Sequence, residues 1–250
     1  MYAWIIGICF VVGAVLVGLL PAQLLRRRYA GMQPADTRAV ASDVMARIGV
    51  MHGLILSLVF ASAHAGAQRF EDDVLAEAAA TTHVYFNAQR YGSPEVQAAS
   101  LAYLHAAIEK DWPVLRARSQ LSDEGWLAWR GMLDASLALK PEGRAQNILA
   151  GQIQADIWKI ESLRQLRGYE ASNRLSGEFW LIAIVGLLMI ASLLFVHEIK
   201  PLHQAIMALY SSFTGLTLFL IYDMSHPFSG TLAIEPTAFV QALRTTGAGI

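Results

Sequence analysis

The run FWLIAIVGLLMIASLLFV, Phe179 to Val196, decides the fold. It carries no charge and no proline. A helix rises about 1.5 Å per residue, so a ~30 Å hydrocarbon core takes about 20 mostly apolar residues. This run comes close to that length, and so do three others. Ala3 to Leu20 is uncharged. Ile48 to Ala65 is interrupted only by His52, Ser57, Ser62 and His64. Ala205 to Tyr222 is uncharged but rich in Ser and Thr. Four transmembrane helices are therefore expected, at about 3–20, 48–65, 179–196 and 205–222.

Composition agrees with an integral membrane protein. Of the 250 residues, 55% are hydrophobic and 16% charged, with a net charge of −1. Soluble domains carry about 25% charged residues. No basic excess points to nucleic acid. The single cysteine, Cys9, excludes a disulfide within the chain.

A cleavable signal peptide carries its positive charge before the apolar core. Here Arg26, Arg27 and Arg28 follow the first run, which reads as an uncleaved anchor. The loop 21–47 holds five arginines (26, 27, 28, 38 and 47) against Asp36 and Asp43. Positive loops stay in the cytoplasm. The termini and the long central segment are then expected outside the cytoplasm. Arg69, Arg167 and Arg174 flank the other ends of the spans and weaken the bias.

Residues 66–178 are polar, and their periodicity is helical throughout. An extramembrane helical bundle is predicted there, between transmembrane hairpins at 1–65 and 179–222, with a turn and tail over 223–250. The stretch Phe70 to Tyr91 continues the second span as helix. Ser93-Pro94 and Ser122-Asp123-Glu124 are helix starts, because Ser caps free N–H groups and Pro fits the first turn. Leu101, Leu104, Ile108 and Trp112 form one predicted stripe, and Trp126, Trp129, Leu133 and Leu137 another. Pro141 is expected to open a third helix, with Leu149, Ile153, Ile157 and Ile160 on its inner face. No alternating strand pattern and no internal repeat occurs.

Arg164 and Arg167 fall on the same arc as those isoleucines. An unpaired buried charge is costly. Either they pair with carboxylates such as Glu109, Asp111 or Glu161, or they line a positive site that attracts anions. Gly49, Gly53, Ser57 and His64 share one face of the second span, and His52 lies nearby. That face either admits a neighbouring helix closely or faces a water-filled pore. Ser211, Thr214 and Gly215 give the fourth span a similar face. His197-Glu198-Ile199-Lys200-Pro201-Leu202-His203 lacks metal-ligand spacing, and its proline interrupts any helix that would align ligands, so it reads as an interfacial turn. Trp126 and Trp129, one turn apart, are core residues or an exposed contact patch.

The segment DMSHPFSG, Asp223 to Gly230, ends the fourth span. The residue before a proline is biased away from helix, so His226-Pro227 stops it. Gly230 is expected to supply a positive φ for the reversal. Asp223 and His226 either fix the turn or stand at the mouth of a pathway. There is no nucleophile elbow, phosphate loop, zinc spacing or spaced carboxylate pair, so neither an enzyme nor a cofactor is expected.

A span ending in Asp223 and followed by Pro227-Phe228-Ser229-Gly230 resembles a bacterial membrane family described as bestrophin-like, a domain of unknown function. Glu77-Ala78-Ala79, Lys110-Asp111-Trp112-Pro113 and Arg164-Gln165-Leu166-Arg167 add to the likeness, which covers nearly the whole chain. The resemblance implies kinship with bestrophins, which are pentameric anion channels with four spans per subunit and a helical domain between the second and third. It therefore implies a homo-oligomer in the lipid bilayer that conducts an inorganic ion, an anion before a cation. The acidic calcium-binding pattern of animal bestrophins is not evident, and their domain is cytoplasmic, opposite to the arginine bias. The competing expectation is a non-conducting scaffold or sensor whose helical domain binds a partner.

Overall fold

The computed structural model describes residues 2–29, 35–172, 175, 177–197, 200–231 and 233–248. Arg174, Glu198 and Ile199 lie outside the described residues. The described chain is helical with no strand. In order it runs α1 (Tyr2–Arg28), α2 (Ala35–Tyr91), α3 (Pro94–Ala106), a π-helical turn (Ala107–Asp111), α4 (Trp112–Arg118), α5 (Asp123–Leu137), α6 (Arg144–Ser172), α7 (Gly177–Leu193), a 3-10 turn (Leu194–Val196), α8 (Pro201–Met224) and α9 (Thr237–Thr245). Four of the described helices are long and apolar enough to cross a membrane.

The chain divides into two units. The first comprises residues 1–66, 175–225 and 230–232. Its outward surface is apolar: Trp4, Ile8, Leu58, Leu181, Leu209 and Phe213 are all exposed. Contiguous apolar surface on this scale needs a non-aqueous neighbour, which a bilayer supplies. Inside, small residues let helices close up. A β-carbon on Gly215 of α8 would lie 2.8 Å from the Phe10 carbonyl oxygen and 2.8 Å from the Val11 Cα of α1. Gly18 of α1 abuts Ser211 one turn earlier on α8. The Ser211, Thr214, Gly215 face is thus a buried seam against α1.

The second unit comprises residues 67–174, 226–229 and 233–250. Its core gathers Phe70, Val74, Val84, Tyr103, Leu104, Trp112, Met132, Ile153, Ile157, Ile160 and Phe239, among others. Both serine caps form: Ser93 Oγ accepts from Val96 N, and Ser122 Oγ accepts from Gly125 N. Three expectations need correction. Helix α6 begins at Arg144, not Pro141, because Gly143 takes φ 116° and breaks the path before it. Leu137 is exposed, and α5 instead buries Trp129, Met132 and Ser136. The π turn resets the face after α3, so Tyr103, Ala107 and Asp111 point inward with Leu104 and Trp112, while Leu101 and Ile108 are only half-buried.

Candidate functional site

Arg164 and Arg167 sit one turn apart on α6, in line with the isoleucine stripe, and both are fully buried. Helix periodicity brings them inward; their carboxylate partners come from two other elements. Arg167 holds Glu77 of α2 with two parallel bonds, Nε to Oε2 and Nη2 to Oε1, each 3.0 Å. Its Nη2 also donates to Asp111 Oδ2 at 3.0 Å. Arg164 Nη1 pairs with the same Oδ2, and Nη2 donates to the Ser122 carbonyl at 2.9 Å. Tyr103 OH donates to Glu77 Oε1. The Ser122 backbone N–H and hydroxyl donate to Asp111 Oδ1 at 3.0 and 2.6 Å. The cluster therefore joins α2, α3, the π turn, the α5 cap and α6. Two cations face two anions, so it is charge-balanced.

Each guanidinium keeps one buried N–H without an acceptor, Nε of Arg164 and Nη1 of Arg167. Aromatic faces cover the guanidinium groups. The Arg164 guanidinium lies 4.8 Å from the Trp126 ring, and that of Arg167 lies 5.1 Å from Trp112 and 5.4 Å from Phe239. Burial pushes the Glu77 carboxyl up, against the opposing pull of Arg167, Tyr103 and Arg164. Burial also raises the Tyr103 phenol, and the Glu77 charge adds to it, so Tyr103 remains a donor. For Arg167, burial disfavours the cation, but Glu77, Tyr103 and Asp111 outweigh it and its pKa rises. Gly125 is required here, since a β-carbon would fall 2.5 Å from Asp111 Oδ1 and 2.6 Å from Arg164 Nη2.

The two arginines thus form a salt-bridge site. Of the carboxylates expected, Asp111 is the partner, whereas Glu109 faces His105 and Glu161 accepts from Gln165. Sequence reasoning missed Glu77 as a partner. The signal was present: Phe70, Val74, Glu77, Thr81, Val84 and Ala88 make one buried stripe on α2 with a carboxylate in its middle. Trp129 is buried and Trp126 half-buried, so this pair belongs to the core, and Trp126 covers Arg164.

In the first unit the residues expected on one face of α2 separate. His52 is buried. Its Nε2 meets the Ala183 carbonyl of α7 at 3.0 Å, and its Nδ1 meets Tyr210 OH of α8 at 3.1 Å. A carbonyl only accepts, so Nε2 carries the proton and Nδ1 accepts from Tyr210. Gly186 makes room for the ring, since a β-carbon there would lie 2.5 Å from His52 Cδ2. Gly53, Ser57 and His64 are exposed on α2. Among the described residues, nothing beyond the helix's own nearby backbone lies within 4 Å of a β-carbon placed on Gly49 or Gly53. Ser57 donates back to the Leu54 carbonyl at 3.0 Å, and His64 stacks on Phe60 with ring centres 6.3 Å apart. This face is open within the subunit.

In the first unit, the buried Asp223 accepts from the Thr231 backbone N–H at 2.7 Å and from the Thr231 hydroxyl. Gly230 does not have the positive φ expected of it. It is glycine for a different reason: the Asp223 carboxylate occupies the place of its β-carbon. In the second unit, the Pro227 carbonyl accepts from Ile234 N at 2.7 Å, and the buried Phe228 packs edge-on against Phe70 and Trp112. His226 is half-buried and Ser229 exposed. Asp223 is therefore a staple of the turn.

Neither the curated proteins nor the solved structures contain a match to the chain. Residues 9–239 match the Bestrophin-like domain family. With that match covering most of the 250 residues and four apolar helices of spanning length, the chain belongs to the bestrophin-like family of membrane proteins.

Proposed function

We propose that the protein is a homo-oligomeric ion channel, passing anions in preference to cations, and not an enzyme. The observation that carries this reading is the open face of α2. Gly53, Ser57 and His64 are small or polar residues within a span, and all three are exposed among the described residues. Polar groups at membrane depth face a protein interior or a water-filled cavity. Four spans in one chain leave little room for a pore inside a subunit, so the pathway runs along an oligomer axis lined by α2. Family membership supports the same assignment, and a pentamer follows from the bestrophin analogy. The arginine-rich loop 21–47 favours its own placement in the cytoplasm of a bacterial inner membrane, with the second unit on the opposite side.

The salt-bridged pair Arg164 and Arg167 is charge-balanced and takes no part in ion attraction in this reading. The decisive experiment is flux from liposomes containing the purified protein, with chloride and potassium gradients tested separately. Chloride flux that Ser57→Phe blocks in a protein of unchanged assembly supports the reading. Absence of flux from folded, oligomeric protein refutes it. A contact role for the second unit has its own support: Ile148, Trp158, Leu166 and Tyr169 are exposed along one side of α6. In an oligomer these residues serve subunit contact; in a scaffold they bind another protein.

A further inference from the structure

A groove in the first unit, between α2, α7 and α8, ends at Gly49, one turn before the Gly53, Ser57 and His64 that carry the channel reading. It has a volume of about 390 Å³, with Met45 and Gly49 on one wall, Ile190 on the second, and Ile206, Met207 and Tyr210 on the third. His197 and His203 close one end. From there a narrow cleft of about 30 Å³ continues past Gln204 to Ala22 and Gln23 of α1. The apolar part opens beside Gly49, where a β-carbon would meet nothing within 4 Å.

The α2 wall is continuous with a polar end. Arg38, Ser42, Met45 and Gly49 recur every three or four residues and so share a face. Ser42 Oγ donates to the Arg38 carbonyl at 3.0 Å and meets His197 Nε2 at 2.9 Å. With the hydroxyl proton so used, Nε2 is the donor to Ser42, and His197 Nδ1 is left as an acceptor. Among the described residues, that Nδ1 is buried without a partner, and so is Nε of Arg38. Buried polar atoms without partners are rare and call for an explanation. The unmet acceptor belongs to a residue that lines the groove, His197, and the unmet donor to Arg38, which Ser42 links to it.

The length and charge of the groove agree. From Gly49 to Arg38 the α2 face climbs roughly 16 Å, close to the ~15 Å depth of one bilayer leaflet's hydrocarbon. The end of α1 and the start of α2 carry Arg26, Arg27, Arg28 and Arg38, and of the next two charges on α2, Asp43 is already paired to Arg47 at 3.0 Å. Basic clusters where spans meet the surface attract anionic lipid.

We propose that this groove binds an anionic phospholipid, with one acyl chain along Gly49 and Ile206, the phosphate accepting from Arg38, and a headgroup hydroxyl donating to His197. The site stands independently of ion conduction, and failure of the flux experiment leaves it intact.

The test uses the full-length protein in mild detergent, with phosphatidylglycerol or phosphatidylcholine added at equal concentration and bound lipid counted by native mass spectrometry. One phosphatidylglycerol per chain should survive washing that strips phosphatidylcholine, with at least a ten-fold preference. Gly49→Leu, which projects into the groove, and Arg38→Gln should each lower retention about ten-fold, while Arg38→Lys keeps most of it. If Gly49→Leu does not assemble, Ala46→Leu on the same wall is read in its place. Equal retention of the two lipids, or wild-type retention in the groove-filling variant, overturns the proposal. So does inorganic phosphate raising Tm as far as phosphatidylglycerol does, because that assigns the site to a free anion.

Discussion

Removing one partner from the buried cluster tests the central reading of the second unit. In Arg167→Gln, Glu77 loses its two-fold hydrogen-bonded partner and keeps only Tyr103. Breaking a fully buried ion pair by deleting one partner costs about 3–5 kcal/mol, a large part of the ~5–15 kcal/mol that holds a typical fold. The expected result is a fall in Tm of roughly 10 °C in the purified, detergent-solubilised protein. The loss must also depend on pH. Burial already raises the Glu77 carboxyl and Arg167 opposes that rise, so the variant raises it further. A carboxyl whose folded pKa lies above its unfolded value contributes stability at low pH and loses it as pH climbs through the folded pKa. The deficit against wild type should therefore shrink at pH 5.5 and be largest at pH 8. Neutralising the orphan in Arg167→Gln/Glu77→Gln should recover about 1–3 kcal/mol of the loss. A deficit below about 1 kcal/mol, equal at both pH values and unrelieved by Glu77→Gln, would falsify the account of an ionised, mutually dependent cluster.

Other expectations follow from close contacts at glycines. Gly186→Ala drives a methyl into the His52 ring and should cost about 1–3 kcal/mol; adding His52→Ala should cost little more, and a strictly additive double variant argues against the contact. Gly230→Ala should destabilise because it meets the Asp223 carboxylate, and Asp223→Ser should relieve it. If Asp223→Ser gives no relief, backbone conformation and not the carboxylate is the reason for glycine there. On the open face of α2, Gly53→Leu has free space within the subunit and should leave stability within ~0.5 kcal/mol of wild type while reducing chloride flux; unchanged flux removes Gly53 from the pathway.

The spans were legible because the bilayer imposes a length and an apolar composition that a single helix must meet alone. Runs such as Phe179–Val196 carry that signal without reference to any neighbour. The serine caps were legible for the same reason, since the cap and the N–H groups it satisfies lie within four residues. Periodicity also put Arg164 and Arg167 on the inner face of α6 before any partner was known. What answers them was not legible. Glu77 lies 90 residues from Arg167, and Asp111 turns inward through a π turn that a regular 3.6-residue period does not contain. His52 was placed with Gly49, Gly53 and Ser57 because they are near on one helix, yet it turns to Ala183 and Tyr210, each more than 130 residues away. Gly230 looked like a backbone hinge, and only the folded turn brings a carboxylate onto its α-carbon. The sequence by itself determined which segments are helices and, where the period is regular as on α6, which face turns inward, because those choices depend on near neighbours and on solvent. Which charge meets which, and which glycine admits which side chain, depends on distances between residues far apart in the chain, and only the tertiary structure decides those.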